Sequence, residues 1–131
     1  MTDVTARNKR NKRHGAAWEI DLERYYLERG TATERLVRRG KNDEGDLVLR
    51  VNDIAVVIEA KAEKTYRLTE YSRQARKEAE LWRERNSTTV NAPAFVVGAF
   101  NTKIPRLTVA EGIVGITNED FASLILHLQG R

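Results

Sequence analysis

The stretch GDLVLRVNDIAVVIEAK, residues 45–61, decides how this chain is read. Two runs rich in Val, Ile and Leu flank Asn52 and Asp53, which both tolerate the backbone of a tight turn, so residues 46–51 and 54–61 are expected to form a β-hairpin with a two-residue loop. Val51 then faces Ile54, followed by Leu49 with Val56, Val48 with Val57, Leu47 with Ile58 and Asp46 with Glu59. Side chains alternate between the two faces of a strand. One face is therefore Leu47, Leu49, Val51, Ile54, Val56, Ile58 and Ala60, without a polar side-chain atom, and belongs to a core. The other carries Val48, Ala55 and Val57 and ends with Asp46, Glu59 and Lys61 together.

Two carboxylates opposite each other across a ladder have Cβ atoms about 4.5–5.5 Å apart and oppose folding unless something compensates them. Strand ends often carry charges simply because they emerge into water. Here the acids adjoin an apolar run on a defined register, which favours a cation site. Mg²⁺, or Mn²⁺ in its place, takes oxygen ligands, keeps several waters and is commonly held by one or two carboxylates plus substrate phosphate oxygens. Lys61, two residues beyond Glu59, can aim a compact positive charge at a phosphate or an attacking water.

The remaining sequence agrees with oxygen-based chemistry. The 131 residues, 40% hydrophobic and 32% charged, suit one domain with a real core. No cysteine is present, which excludes disulfide scaffolds, thiol catalysis and thiolate zinc sites, and His14 and His127 are too few for a histidine cage. The apolar runs at 54–58 and 94–100 are far below a membrane span, so no membrane association is expected, and a cytoplasmic protein of a prokaryotic or phage-infected cell is the expectation. Residues 1–14 carry Arg7, Lys9, Arg10, Lys12 and Arg13 against Asp3 alone, which accounts for the whole chain's net charge of +4. Basic tails are often merely solubilising; the functional reading is a flexible phosphate-binding arm, 1–14, before a domain of residues 15–131.

Trp18, Leu22 and Tyr25 fall at helical spacing within residues 15–29, with Gly30 as the stop. Residues 31–37 read as a short strand, 38–45 as a charged loop, and 68–85 as an amphipathic helix with Leu68, Tyr71, Ala75, Glu78 or Ala79, and Trp82 on one side. A buried strand is expected at 94–100, bounded by Pro93 and Asn101, then a last strand within 112–117 and a helix opening at Asn118 and running to about Leu128. The expected fold class is α/β: a single domain with a mixed central sheet flanked by helices.

On these residues the chain resembles the PD-(D/E)XK nucleases. Gly45-Asp46 stands where the eponymous proline and aspartate are found, and Glu59-Ala60-Lys61 supplies the second half of the motif. More specifically it is similar to archaeal-type and phage Holliday junction resolvases. Those begin with a basic segment, then a glycine followed four residues later by a glutamate, here Gly15 and Glu19; a helix ending Glu28-Arg29-Gly30 and a basic loop follow. The resemblance covers residues 7–100 and implies a restriction endonuclease-like fold, with Asp46, Glu59 and the carbonyl of Ala60 as ligands of Mg²⁺ or Mn²⁺. It further implies Lys61 as catalytic lysine, Glu19 as accessory acid, and Gln74 as a nucleic-acid-facing glutamine of the downstream helix. Such resolvases usually place a serine before the aspartate; residues 36–45 have none, and Arg38, Arg39 and Lys41 are the expected phosphate contacts there.

The implied activity is a metal-dependent endonuclease resolving four-way DNA junctions by phosphodiester hydrolysis, a step of DNA recombination and repair, with branched DNA as partner. A four-way junction is two-fold symmetric, which suits a homodimer with paired sites. Two alternatives stand beside it: a restriction- or RecB-like nuclease on other DNA, and a non-catalytic DNA-binding protein relying on its basic arm.

Overall fold

The expected hairpin forms, with Asn52 at φ +52° in its turn. Strands β2 (Leu47–Val51) and β3 (Ile54–Lys61) pair antiparallel, Val51 opposite Ile54, Leu49 opposite Val56 and Leu47 opposite Ile58. The structure is a computed structural model describing residues 3–36 and 44–130, with side chains from residue 16 onward. Around the hairpin lie helix α1 (Asp3–Glu28), strand β1 (Ala32–Arg35), helix α2 (Leu68–Asn86), strand β4 (Phe95–Thr102), strand β5 (Ile113–Gly115) and helix α3 (Asn118–Leu128), with a 3₁₀ turn at Val109–Glu111.

The five strands form one mixed sheet in the order β1-β2-β3-β4-β5. All neighbours are antiparallel except β3 and β4, which run parallel because α2 carries the chain over one face between them. The protein is thus a single small α/β domain, with five strands and three α-helices among the described residues. Among the described residues no helix is long and apolar enough to cross a membrane.

Both faces of the hairpin are buried away from its turn, where Val51, expected in the core, is 55% exposed. Leu47, Ile58 and Ala60 pack with Trp18 and Leu22 of α1, as the apolar face requires. The second face is core as well: Val48, Ala55 and Val57 pack with Ala79 and Trp82 of α2. Asp46, Glu59 and Lys61 therefore sit under a helix rather than at a solvent-facing sheet surface. Gly98 in β4 allows this cover to come close, since a Cβ there would lie 2.3 Å from the carbonyl oxygen of Ala75. Any larger residue would lift α2 from the sheet.

The start of α1 and the end of β4 differ from the sequence reading. Helix α1 does not start at Gly15 but runs back to Asp3; Arg and Lys are good helix formers, so the basic segment continues the helical backbone. Strand β4 does not stop at Phe100: Asn101 and Thr102 continue it and are buried. Their backbone is held by the ladder to β3, and the Asn101 carbonyl accepts from the indole N–H of Trp18 at 3.2 Å. Helix α3 begins at Asn118 and ends at Leu128 as expected, capped by Thr117, whose hydroxyl accepts from the Asp120 N–H.

Candidate active site

Asp46 does not stand opposite Glu59 in the ladder. Strand β2 starts one residue later, and the Asp46 N–H bonds at 2.9 Å to the carbonyl of Ile58, the residue already paired with Leu47. Two residues of one strand thus address one residue of the other, as in a β-bulge, a device that re-aims a side chain. The freed Asp46 Oδ2 accepts the Ala60 N–H at 2.8 Å, taking the place of a ladder carbonyl. The departure starts at Gly45, whose φ of +102° is open to glycine and closed to proline, which is fixed near −65°. A Cβ there would also lie 2.6 Å from Val57 Cγ1. This backbone is why glycine stands where the resembling nucleases often have proline.

Glu59 and Lys61, two residues apart on β3, share the face beneath α2, with Lys61 Nζ 3.1 Å from Glu59 Oε1. Helix α2 adds Gln74 and Glu78, one turn apart. Lys61 Nζ donates to Gln74 Oε1 at 2.7 Å, and Gln74 Nε2 donates to Glu59 Oε1 and Glu78 Oε1, each at 3.0 Å. The amide orientation follows from its partners, since an ammonium can only donate and a carboxylate can only accept. Lys61 also lies over the Tyr71 ring, 5.4 Å from its centroid.

Among the described residues this pocket holds more acids than bases. Asp46, Glu59 and Glu78 are 5%, 7% and 6% exposed, with Lys61 the compensating cation in the network. Burial, then a hydrogen bond with Glu78 and the charges of Asp46 and Glu78, push the Glu59 carboxyl up to about 10, against the opposing pull of Lys61. Burial also raises Glu78, opposed by its hydrogen bonds from Glu59 and Gln74. The second oxygen of Glu78, Oε2, is buried with no hydrogen-bond partner among the described residues.

Among the described residues no group of three or more His, Cys, Asp or Glu is arranged to hold a metal ion. The chemistry of the donor set nevertheless fits a hard divalent cation: every donor is an oxygen, and beside it Glu78 Oε2 is buried without a hydrogen-bond partner among the described residues. Two carboxylates suffice where water and substrate phosphate complete the shell. Asp46 and Glu59, with the carbonyl of Ala60, are the residues that would hold it.

The structure brings four of the expected site residues together: Asp46, Glu59, Lys61 and Gln74. Gln74, expected to face nucleic acid, bridges the lysine and the acids while remaining exposed at the rim. Glu19 is buried on α1, 3.9 Å from the Arg35 guanidinium, and its helix packs on the opposite face of the hairpin from α2. The side chains of Arg7, Lys9, Arg10, Lys12 and Arg13, and all of Arg38, Arg39 and Lys41, lie outside the described residues. Sequence reasoning noticed Glu78 on the apolar side of α2 without assigning it to the site. Its signal was an acid on the stripe of Tyr71, Ala75 and Trp82, one turn from Gln74. No family model matches this chain, and no curated protein matches it.

Proposed function

We propose that this protein is a metal-dependent DNA endonuclease acting on branched DNA, four-way junctions foremost, with the restriction endonuclease-like fold of the nucleases it resembles. The observation that carries the reading is the meeting of Asp46, Glu59 and Lys61 under α2, with Asp46 held by the Ala60 N–H and the other two joined by Gln74. With all three acids ionised, Asp46, Glu59 and Glu78 beside Lys61 give a formal charge of −2, which a divalent cation neutralises. The element order α1-β1-β2-β3-α2-β4 also agrees with the resemblance.

When bound, Mg²⁺ or Mn²⁺ supplies polarisation of the scissile phosphate and a lowered pKa for a bound water. The chain's own groups do the rest. Lys61 orients the attacking water and stabilises the negative charge that builds on the five-coordinate phosphorus. The water oxygen bonds to phosphorus, the P–O3′ bond breaks, and O3′ takes a proton, leaving a 5′-phosphate and a 3′-hydroxyl. Gln74 keeps the lysine amine in place. Arg7, Lys9, Arg10, Lys12 and Arg13, with Arg38, Arg39 and Lys41, hold backbone phosphates without reading bases. A homodimer working in the cytoplasm on both strands of a junction completes the proposal.

The second reading, a DNA-binding protein without catalysis, is favoured by one observation: the Lys61 ammonium already lies 3.1 Å from Glu59 Oε1, where a metal ion would approach. Matched linear, flapped and four-way DNA, incubated with Mg²⁺ or with EDTA, separates the two. The nuclease reading predicts Mg²⁺-dependent cutting of the four-way substrate and its loss in Lys61→Ala with junction binding retained. Equal cutting of linear duplex transfers the assignment to a restriction- or RecB-like nuclease. Absence of cutting on every substrate leaves the binding protein.

A further inference from the structure

Helix α3 has no buried residue. Polar groups pin its inner side. Arg76 Nε reaches Asp120 Oδ2 at 3.0 Å, while His127 Nε2 lies 3.0 Å from both carboxylate oxygens of Asp53 and its ring stacks on Phe95. Elsewhere on the helix Phe121, Ile125, Leu126 and Leu128 are 38–60% exposed. Only two residues join α3 to β5, the last strand of the sheet, where Ile113 and Val114 are half-exposed as well. The outer backbone edge of β5 pairs with no other strand among the described residues.

From Phe121 to Leu128 the only titratable side chain is His127, which is turned inward to Asp53. A surface without cations does not suit DNA. Its size suits another copy of itself: six half-exposed apolar side chains offer on the order of 500 Å² per copy, or about 1,000 Å² from two. At the roughly 65% apolar share of homodimer interfaces, that corresponds to a total near 1,500 Å², the range of stable complexes. We propose that α3 and the β5 edge form the interface of a two-fold dimer, in which α3 packs against α3 of a second copy. An uncharged, apolar, single-helix face is self-complementary under such a rotation, and covering it protects an open sheet edge.

The nuclease reading calls for a dimer but names no surface. This interface follows from exposure and topology and is tested without DNA or metal, so either reading can fail alone. Sedimentation equilibrium of the full chain at micromolar concentration should give a dimer. The double variant Phe121→Asp, Ile125→Asp should sediment as a monomer with unchanged far-ultraviolet circular dichroism, its Kd raised by at least about 100-fold because each charge enters the seam twice. The chain lacks cysteine, which permits a second test that needs no disruptive change. With a short bis-maleimide, Ile125→Cys should cross-link to a dimer, and Val90→Cys, fully exposed on the loop before β4, should not. A monomeric parent, a double variant that remains dimeric, or equal cross-linking of both cysteine variants would overturn the proposal.

Discussion

Replacing Glu59 by Gln should make the metal-free protein more stable, by an amount that grows with pH. The Glu59 carboxyl titrates near 10 in the folded protein against an ordinary value of 4.5. Below pH 4.5 the carboxyl is protonated whether the chain is folded or not, and this group contributes nothing. Above it the unfolded chain releases the proton while the folded chain keeps it, so rising pH favours unfolding until the folded group also ionises near 10. One linked proton gives a slope of at most about 1.4 kcal/mol per pH unit, hence an upper bound of about 4 kcal/mol between pH 5 and pH 8. Glutamine keeps the size and loses the titration. The assay is urea unfolding of parent and Glu59→Gln in EDTA at constant ionic strength, pH 5 to pH 8, with the free energy compared pH by pH. The variant should gain on the parent at each step. A difference that is flat, or that shrinks as pH rises, refutes the idea that Glu59 is a buried acid held above its ordinary range.

Three further outcomes are expected. Gly45→Ala should lower unfolding free energy by about 2–4 kcal/mol, because φ +102° strains any L side chain and the new Cβ meets Val57; the urea midpoint reads it. Mg²⁺ should raise the thermal midpoint of the parent at pH 8, where the acids are most costly to bury, and the rise should vanish in Asp46→Asn, as a melting series in Mg²⁺ against EDTA would show. Gln74→Ala should cost only about 1 kcal/mol in stability because water reaches this rim position, yet lower Mg²⁺-dependent cleavage about 10- to 100-fold by releasing Lys61.

The hairpin was legible because its information is local: a two-residue Asn-Asp turn fixes the register, and the register fixes the faces. What the sequence hid is tertiary. The second face of the hairpin reads as half-polar, and only the crossing of α2 buries it. Asp46 was assigned to the right face but the wrong pairing, since a bulge depends on the positive φ of Gly45, which a one-dimensional pairing rule does not contain. Asn101 and Thr102 look like a strand end by polarity; their strand continues because the parallel ladder to Ala60 and Lys61 does, and polarity is a poor guide where the backbone is paired. Glu78 showed as an acid within an apolar stripe, a local conflict that points to function when its neighbours across the fold are also acids.

The bulge and the glutamine solve one electrostatic problem in two ways. A regular ladder would set Asp46 against Glu59 with nothing between them. Shifting Asp46 gives its carboxylate a backbone N–H of its own. Gln74 then stands between Glu59, Glu78 and Lys61 as the residue able to donate to the first two and accept from the third. Neither device removes the excess acid: Glu59 retains a proton, and one Glu78 oxygen stays without a donor among the described residues. An apolar core at these positions would be more stable than three acids and a lysine. On the proposed function the cluster has a use: a cation arriving with a phosphate would match these acids, and the proton on Glu59 would become unnecessary.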